Sequence, residues 1–203
     1  MTSAAQGDRR RELAATDDPR AARTRDRLVA ALDALLEAGE AVSVAAVCTR
    51  AGVGRSTFYT HFATVGDVVV YVVDTMFDEI GPRDVSRRTG QVMARAAITR
   101  TGLEELLAAF RLHRRYLLYA VSAPATERVR EHLVEEMSAS LRRTILTERP
   151  DASDEFLDTA GEYIAGGVLS VLLGWLESPR GRSDDDIVDT VAQLLPSWLT
   201  TND

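Results

Sequence analysis

Six side chains able to donate or share hydrogen bonds crowd one short stretch of this chain. Arg55, Ser56, Thr57, Tyr59, Thr60 and His61 fill seven consecutive positions, interrupted only by Phe58, and none of the seven is an acid. A solvated helix of this length ordinarily mixes acids with bases. Donors without acids suit a surface lined with phosphates and base edges. Arginine offers a two-pronged fork to guanine O6 and N7, and threonine offers a hydroxyl or a methyl for thymine. Other chemistries find no support. His61, His113 and His132 are the only histidines and fall in separate segments. No paired carboxylates, metal-ligand spacing, glycine-rich phosphate loop or nucleophile–base pair is evident. No catalytic residue, metal or cofactor is therefore expected.

Composition sharpens this reading. The 203 residues carry a net charge of −7, and all 24 basic residues are arginine. Residues 1–62 sum to +1 and residues 63–203 to −8. A polyanion would approach the N-terminal third, the only part not strongly acidic. Cys48 is the sole cysteine. No intrachain disulfide can form, and Cys48 reads as a small buried apolar residue. No apolar run of membrane-span length and no signal-peptide core stands out, so a cytoplasmic protein without a membrane partner is expected.

The elements that position the donors are legible. Residues 1–19 are polar and without period and read as a disordered arm, with Arg9, Arg10 and Arg11 either trailing along a polyanion or simply solvated. From Pro19, Leu28, Ala31, Leu32, Leu35 and Leu36 recur on one helical face, and Gly39 ends it. Ser43 caps a short helix over Val44–Ala51, Gly52 suits a left-handed turn, and a third short helix spans Arg55–His61. Val47, Val53, Phe58 and Phe62 have the spacing to close a small core. This is a helix-turn-helix, and the donors lie on its second helix. Thr64 with Asp67 opens a fourth helix.

The rest also reads as helix, giving an all-α chain of about nine helices. Residues 84–99 form one, although Gly81, Pro82 and Gly90 interrupt the pattern. Thr101 with Glu104 opens another to about Val121, and Pro124 starts one to Leu146 with Leu133, Met137, Leu141 and Ile145 as its ladder. A long apolar helix runs from Asp154 to Glu177. Ser183 and Asp186 open the last, on which Ile187, Val191, Leu194 and Trp198 share a face. Three segments follow: an arm at 1–19, a helix-turn-helix domain at 20–66, and a larger helical domain at 67–203.

The stretch TRDRLVAALDALLEAGEAVSVAAVCTRAGVGRSTFYTHF, continuing ATVGDVVV, resembles the TetR-type transcriptional regulators. Ala51-Gly52-Val53 and Tyr59-Thr60-His61-Phe62 match that family's pattern at its spacing, over Thr24 to about Val69. Beyond residue 70 the likeness rests on helix count and length. Three positions depart from the pattern. Gly54 stands where a capping serine is frequent, Ser56 where a glycine is common, and Val65 where a lysine is frequent.

The resemblance implies a sequence-specific, ligand-responsive repressor that binds a palindromic DNA operator as a homodimer and is not an enzyme. It implies that Arg55 reads a base or grips phosphate, while Ser56 adds a contact. Thr57 and Thr60 would meet phosphate or a thymine methyl. Tyr59 would set helix depth on phosphate, and His61 is either a phosphate contact or a packing residue. Ser43, Thr24 and Arg25 would lie near the same backbone. The last two long helices would pair with their copies, with Leu169, Leu173, Val191 and Leu195 in the seam. A small apolar effector would sit in the bundle among Tyr71, Met76, Met93, Phe110, His113, Tyr116 and Tyr163, where plain core packing is the competing reading. Other classes are an activator of the same fold, a helical-bundle enzyme and a ligand-binding protein.

Overall fold

The computed structural model describes residues 18–90, 93–122 and 127–201. The proposed arm and Pro124 lie outside them, except for Asp18 and Pro19. Within the described residues there are ten α-helices and no strand. They divide into two compact units, the first ending at Val72 and the second starting at Val73.

The first unit holds α1 (Pro19–Ala38), α2 (Val44–Ala51), α3 (Arg55–His61) and the opening turns of α4 (Val65–Gly90). Local sequence accounts for nearly every boundary. Asp18 caps α1 by accepting from the Arg20 N–H at 2.9 Å, with Pro19 in the first turn. Gly39 ends it at φ +64°. Ser43 caps α2 through the Ala46 N–H, and Gly52 ends it at φ +62°, a left-handed conformation that glycine adopts without strain. At the start of α4, Asp67 accepts from the Ala63 and Thr64 N–H groups while the Thr64 hydroxyl accepts from the Asp67 N–H. Leu28, Ala31, Leu32 and Leu35 of α1 are buried, as are Val47, Phe58, Phe62, Val68 and Val69.

The second unit comprises the rest of α4 with α5 (Arg95–Leu112), α6 (Arg114–Ser122), α7 (Glu127–Glu148), α8 (Asp154–Glu177), α9 (Asp184–Leu194) and α10 (Ser197–Thr200). The helix α8 is its axis. Leu157, Ile164, Ala165, Val168, Leu172 and Trp175 of α8 join Phe77, Leu106, Phe110, Leu133 and Ile187 in one core. Gly161 lets α7 come close, since a Cβ there would stand 3.1 Å from the Ser138 carbonyl oxygen. By length and composition α8 is also apolar enough to cross a membrane, contrary to the sequence expectation; here its apolar stripe is spent on the core.

Several helix limits differ from expectation. The expected helix over 84–99 is not one element: α4 runs on through Gly81 and Pro82 to Gly90, and residues 95–99 open α5. The glycine answers a packing need: a Cβ on Gly81 would meet Ser140 Oγ of α7 at 3.0 Å. Thr101 and Glu104 lie inside α5 and cap nothing. Instead α5 breaks at His113, so one expected helix is two. The last expected helix stops at Leu194, because Leu195 precedes Pro196 and is extended at φ −73°, ψ 150°. Ile187 and Val191 are buried as expected, but Leu194 faces out and is 70% exposed.

A buried charge network ties four helices of this unit together. The Arg88 guanidinium donates to Asp84 Oδ2 at 2.9 Å, to Glu148 Oε1 at 2.8 Å and to Thr99 Oγ1 at 3.1 Å. Thr144 donates to the same Asp84 oxygen, Arg95 pairs with Glu148 Oε2 at 2.7 Å, and Thr99 donates to the Leu199 carbonyl. The Arg88 and Glu148 side chains are almost wholly buried. Removing one partner strands charge in a low-dielectric interior. Arg88→Leu is expected to destabilise the protein by about 3–5 kcal/mol, read as a lowered urea midpoint. A loss under about 1 kcal/mol would show the network is dispensable for stability.

Candidate nucleic-acid interface

The helix α3 is seven residues long, too short to persist alone. Its anchors are Phe58, with no exposed surface, and Phe62, at 5%. Their rings meet at 6.0 Å, and Phe62 lies edge-on to Tyr71 at 5.9 Å. Burying these two rings turns the opposite side of α3 outward. Arg55, Ser56, Tyr59 and Thr60 are exposed, and Thr57 is half-buried. Tyr59 stands edge-on to Phe58 at 5.6 Å, which braces its ring, and the residue is 48% exposed. Thr60 donates back to the Ser56 carbonyl at 3.0 Å. Gly54 occupies the N-cap without a side-chain hydrogen bond, as expected of glycine there.

Ser43 is exposed at the head of α2 and already engaged in its cap. Thr24 is half-buried and donates to the Arg20 carbonyl at 2.9 Å.

Arg25 departs from expectation. It is 7% exposed, and its guanidinium lies over the Tyr71 ring at 5.8 Å from the centroid. It therefore packs within the unit instead of facing outward. The signal was in the spacing, because Arg25 stands three residues before Leu28 and seven before Leu32, on the buried face of α1. The arginine that sequence reasoning missed is Arg27. It donates to the Ala51 carbonyl at 2.5 Å and to the Gly52 carbonyl at 3.1 Å, satisfying the C-terminus of α2 and holding the turn ahead of α3.

His61 is the last residue of α3. It is half-buried, and its Nδ1 is enclosed without a hydrogen-bond partner. Burial, aided by the positive charge of Arg25, holds its pKa below the usual 6.5. A neutral imidazole makes a weaker phosphate contact than an imidazolium.

The effector residues expected from sequence do not converge. Tyr71 belongs to the first unit, against Phe62 and Arg25. Met76, Phe110 and Tyr116 are buried, His113 marks the α5–α6 break, and Met93 and Tyr163 are exposed. The second unit does hold a cavity of about 90 Å³, but none of these seven lines it. Its walls are Phe77, Leu103, Leu106, Met137, Ile164 and Val168, and Asp84, Arg88 and Thr99 supply one polar pole. Apolar type could not separate lining from core, since both are apolar side chains at helical spacing.

Of the expected seam residues, Leu169 and Val191 sit in the core of their own unit, while Leu173 and Leu195 are half-buried. The exposed apolar side chains nearby are Tyr163, at 78%, and Leu194. Gly166, Gly167 and Gly174 share the open side of α8, with nothing of the chain near where a Cβ would stand. A groove between α8 and α9 is lined by Tyr163, Gly167, Val171, Leu194, Leu195 and Pro196.

No family model and no curated protein sequence matches the chain. Its architecture does have counterparts: the chain has the all-helical fold of the TetR-family transcriptional regulators. FadR from Bacillus halodurans, described as a fatty acid degradation regulator, superposes with a TM-score of 0.62 at 15% identity, over 91% of this chain and 96% of that one. FadR from Thermus thermophilus, described as a TetR-family transcriptional repressor in complex with lauroyl-CoA, gives 0.60 at 19% identity, over 84% and 92%.

Two outcomes follow from the geometry of α3. Phe58→Ala removes its only fully buried side chain and is expected to cost about 3–5 kcal/mol, with loss of α3 in amide hydrogen exchange. His61 adds a pH dependence of known sign. In the unfolded chain it takes up a proton near its ordinary pKa, whereas folded His61 resists until lower pH. Its contribution to stability is therefore lost as pH falls below about 6.5. His61→Gln should show a smaller drop in urea midpoint than wild type between about pH 7.5 and pH 5.5. Equal drops would mean that folded His61 titrates normally.

Proposed function

We propose that this protein is a sequence-specific DNA-binding transcriptional regulator that acts as a homodimer and releases DNA on binding a small, largely apolar effector. The observation that carries the reading is the outward face of α3: Arg55, Ser56, Tyr59 and Thr60 together, without an acid, on a helix anchored from behind by Phe58 and Phe62. Such a helix enters the major groove, where an arginine at its start reaches guanine and hydroxyls reach phosphate. Fold alone does not supply a function. The site supports the same reading, and two structures that share the fold are described as regulators.

Seven residues read only a few base pairs, so a palindrome read by two copies is the economical arrangement. The face made by Tyr163, the open glycines of α8 and Leu194 of α9 supports the dimer, because small residues admit close approach and the flanking apolar side chains gain burial. Repression by occlusion of a promoter, in the cytoplasm, is the mode we assign. The effector reading draws on the cavity with its apolar walls and its Asp84–Arg88 pole. Its volume of about 90 Å³ is too small for a benzene-sized guest, which occupies cavities of about 150 Å³. Binding would widen it, and the flexible side chain of Met137 is suited to give way.

A gel shift with DNA flanking the protein's own gene tests the reading. Retardation that survives excess random competitor is expected. Arg55→Ala should cost roughly 1–3 kcal/mol on that site and relax one position in each half-site, whereas Tyr59→Phe should weaken all DNA about equally. No retardation of any flanking fragment would count against DNA regulation. Leu194→Glu should yield a folded monomer by light scattering and lose the shift, because it puts a carboxylate into the seam from each copy.

A further inference from the structure

One cluster of titratable side chains plays no part in the proposed DNA surface, cavity or dimer face. Asp74 of α4 meets His132 and Glu136 of α7. His132 and Glu136 are four residues apart and share a helical face. The His132 Nε2 lies 2.5 Å from Asp74 Oδ1 and 4.0 Å from Glu136 Oε1, and one donor atom from each of the three residues falls within 4.8 Å of the others. Glu135 Oε2 stands 3.7 Å from the other ring nitrogen, Nδ1. All three principal residues are half-buried, and on the same two helices Val73, Phe77, Leu133 and Met137 are buried. The cluster thus lies at the edge of the apolar core to which these neighbours belong.

The charges do not balance. Three carboxylates surround one imidazole, so even a protonated His132 leaves an excess of two negative charges. Several acids elsewhere pair with arginine, as at Glu105 with Arg87, Asp158 with Arg142 and Asp189 with Arg100. Among the described residues, the ion pairs found for Asp74, Glu135 and Glu136 all run to His132 itself.

We propose that Asp74, His132 and Glu136 form a binding site for a divalent first-row transition ion, represented by Zn2+. One imidazole nitrogen and two carboxylate oxygens are a borderline-to-hard donor set that such ions accept, and three protein ligands leave room for water. Ligands about 2.0–2.2 Å from a tetrahedral ion stand roughly 3.4 Å apart. The Asp74–His132 pair has to open by about an ångström, and the His132–Glu136 pair to close by somewhat less. Rotation of half-buried carboxylates accomplishes both. Glu135 would orient the ring by accepting from Nδ1–H, leaving Nε2 for the ion. The site joins α4 to α7 and does not depend on the regulator reading.

The test is calorimetric titration of Zn2+ into the chelator-treated full-length chain. Saturable binding of one ion per chain is expected. His132→Gln should abolish it, Asp74→Asn and Glu136→Gln should each weaken it by roughly tenfold or more, and His113→Gln should leave it intact. These positions are half-exposed, and circular dichroism checks that each variant folds. Co2+ in place of Zn2+ should give a visible band of nitrogen and oxygen coordination that disappears with His132→Gln. The proposal is overturned if no saturable binding occurs, or if binding survives His132→Gln. Loss with His132→Gln but no change with either acid variant overturns it as well, since that describes a lone histidine.

Discussion

Everything presented by α3 depends on the burial of Phe58. A seven-residue helix has too few hydrogen bonds to offset the cost of its own nucleation. It exists because one ring, with Phe62 behind it, enters the core of the first unit and fixes the helix in rotation as well as position. The polar side chains gain their outward orientation from that constraint and from nothing they do themselves. Arg27 adds to it from α1 by closing the carbonyl end of α2, so the turn through Gly52 to Gly54 has both its geometry and its hydrogen bonds supplied.

The second unit relies on a different device. Its core is apolar and continuous, but at one pole of its cavity it buries an arginine with two carboxylates and two threonines. Apolar residues of similar volume often serve stability as well or better than such a group. What the network adds is specificity of arrangement, since Arg88 can satisfy Asp84, Glu148 and Thr99 together in one disposition of α4, α5 and α7. The same polar pole gives the cavity an orienting end, with the guanidinium committed and Asp84 Oδ1 without a partner.

Local rules made much of this legible in advance. Caps at Ser43, Thr64 and Ser183, stops at Gly39 and Gly52, and the span Arg55–His61 all follow from side chains bonding to nearby backbone or from left-handed turns, and these interactions extend over three or four residues. The same rules misread Thr101 and Glu104, where a capping pattern occurs by chance inside a helix whose other packing carries it through. They misread Pro82 as well, because the neighbours that keep α4 helical across it come from distant sequence.

The sequence by itself determined the all-helical class, the helix-turn-helix and the acid-free face of its second helix, because these are set by periodicity and by interactions among near neighbours. Only the tertiary structure decided that Arg25 is buried over Tyr71, that the cavity is lined by Phe77, Leu103 and Met137 instead of the tyrosines, and that Asp74 meets His132 across 58 residues of chain. Each of these turns on which face of one helix meets which face of another. Apolar side chains at helical spacing look alike in sequence whether they end in a core, a cavity wall or an open surface, and only the packing of distant segments separates the three.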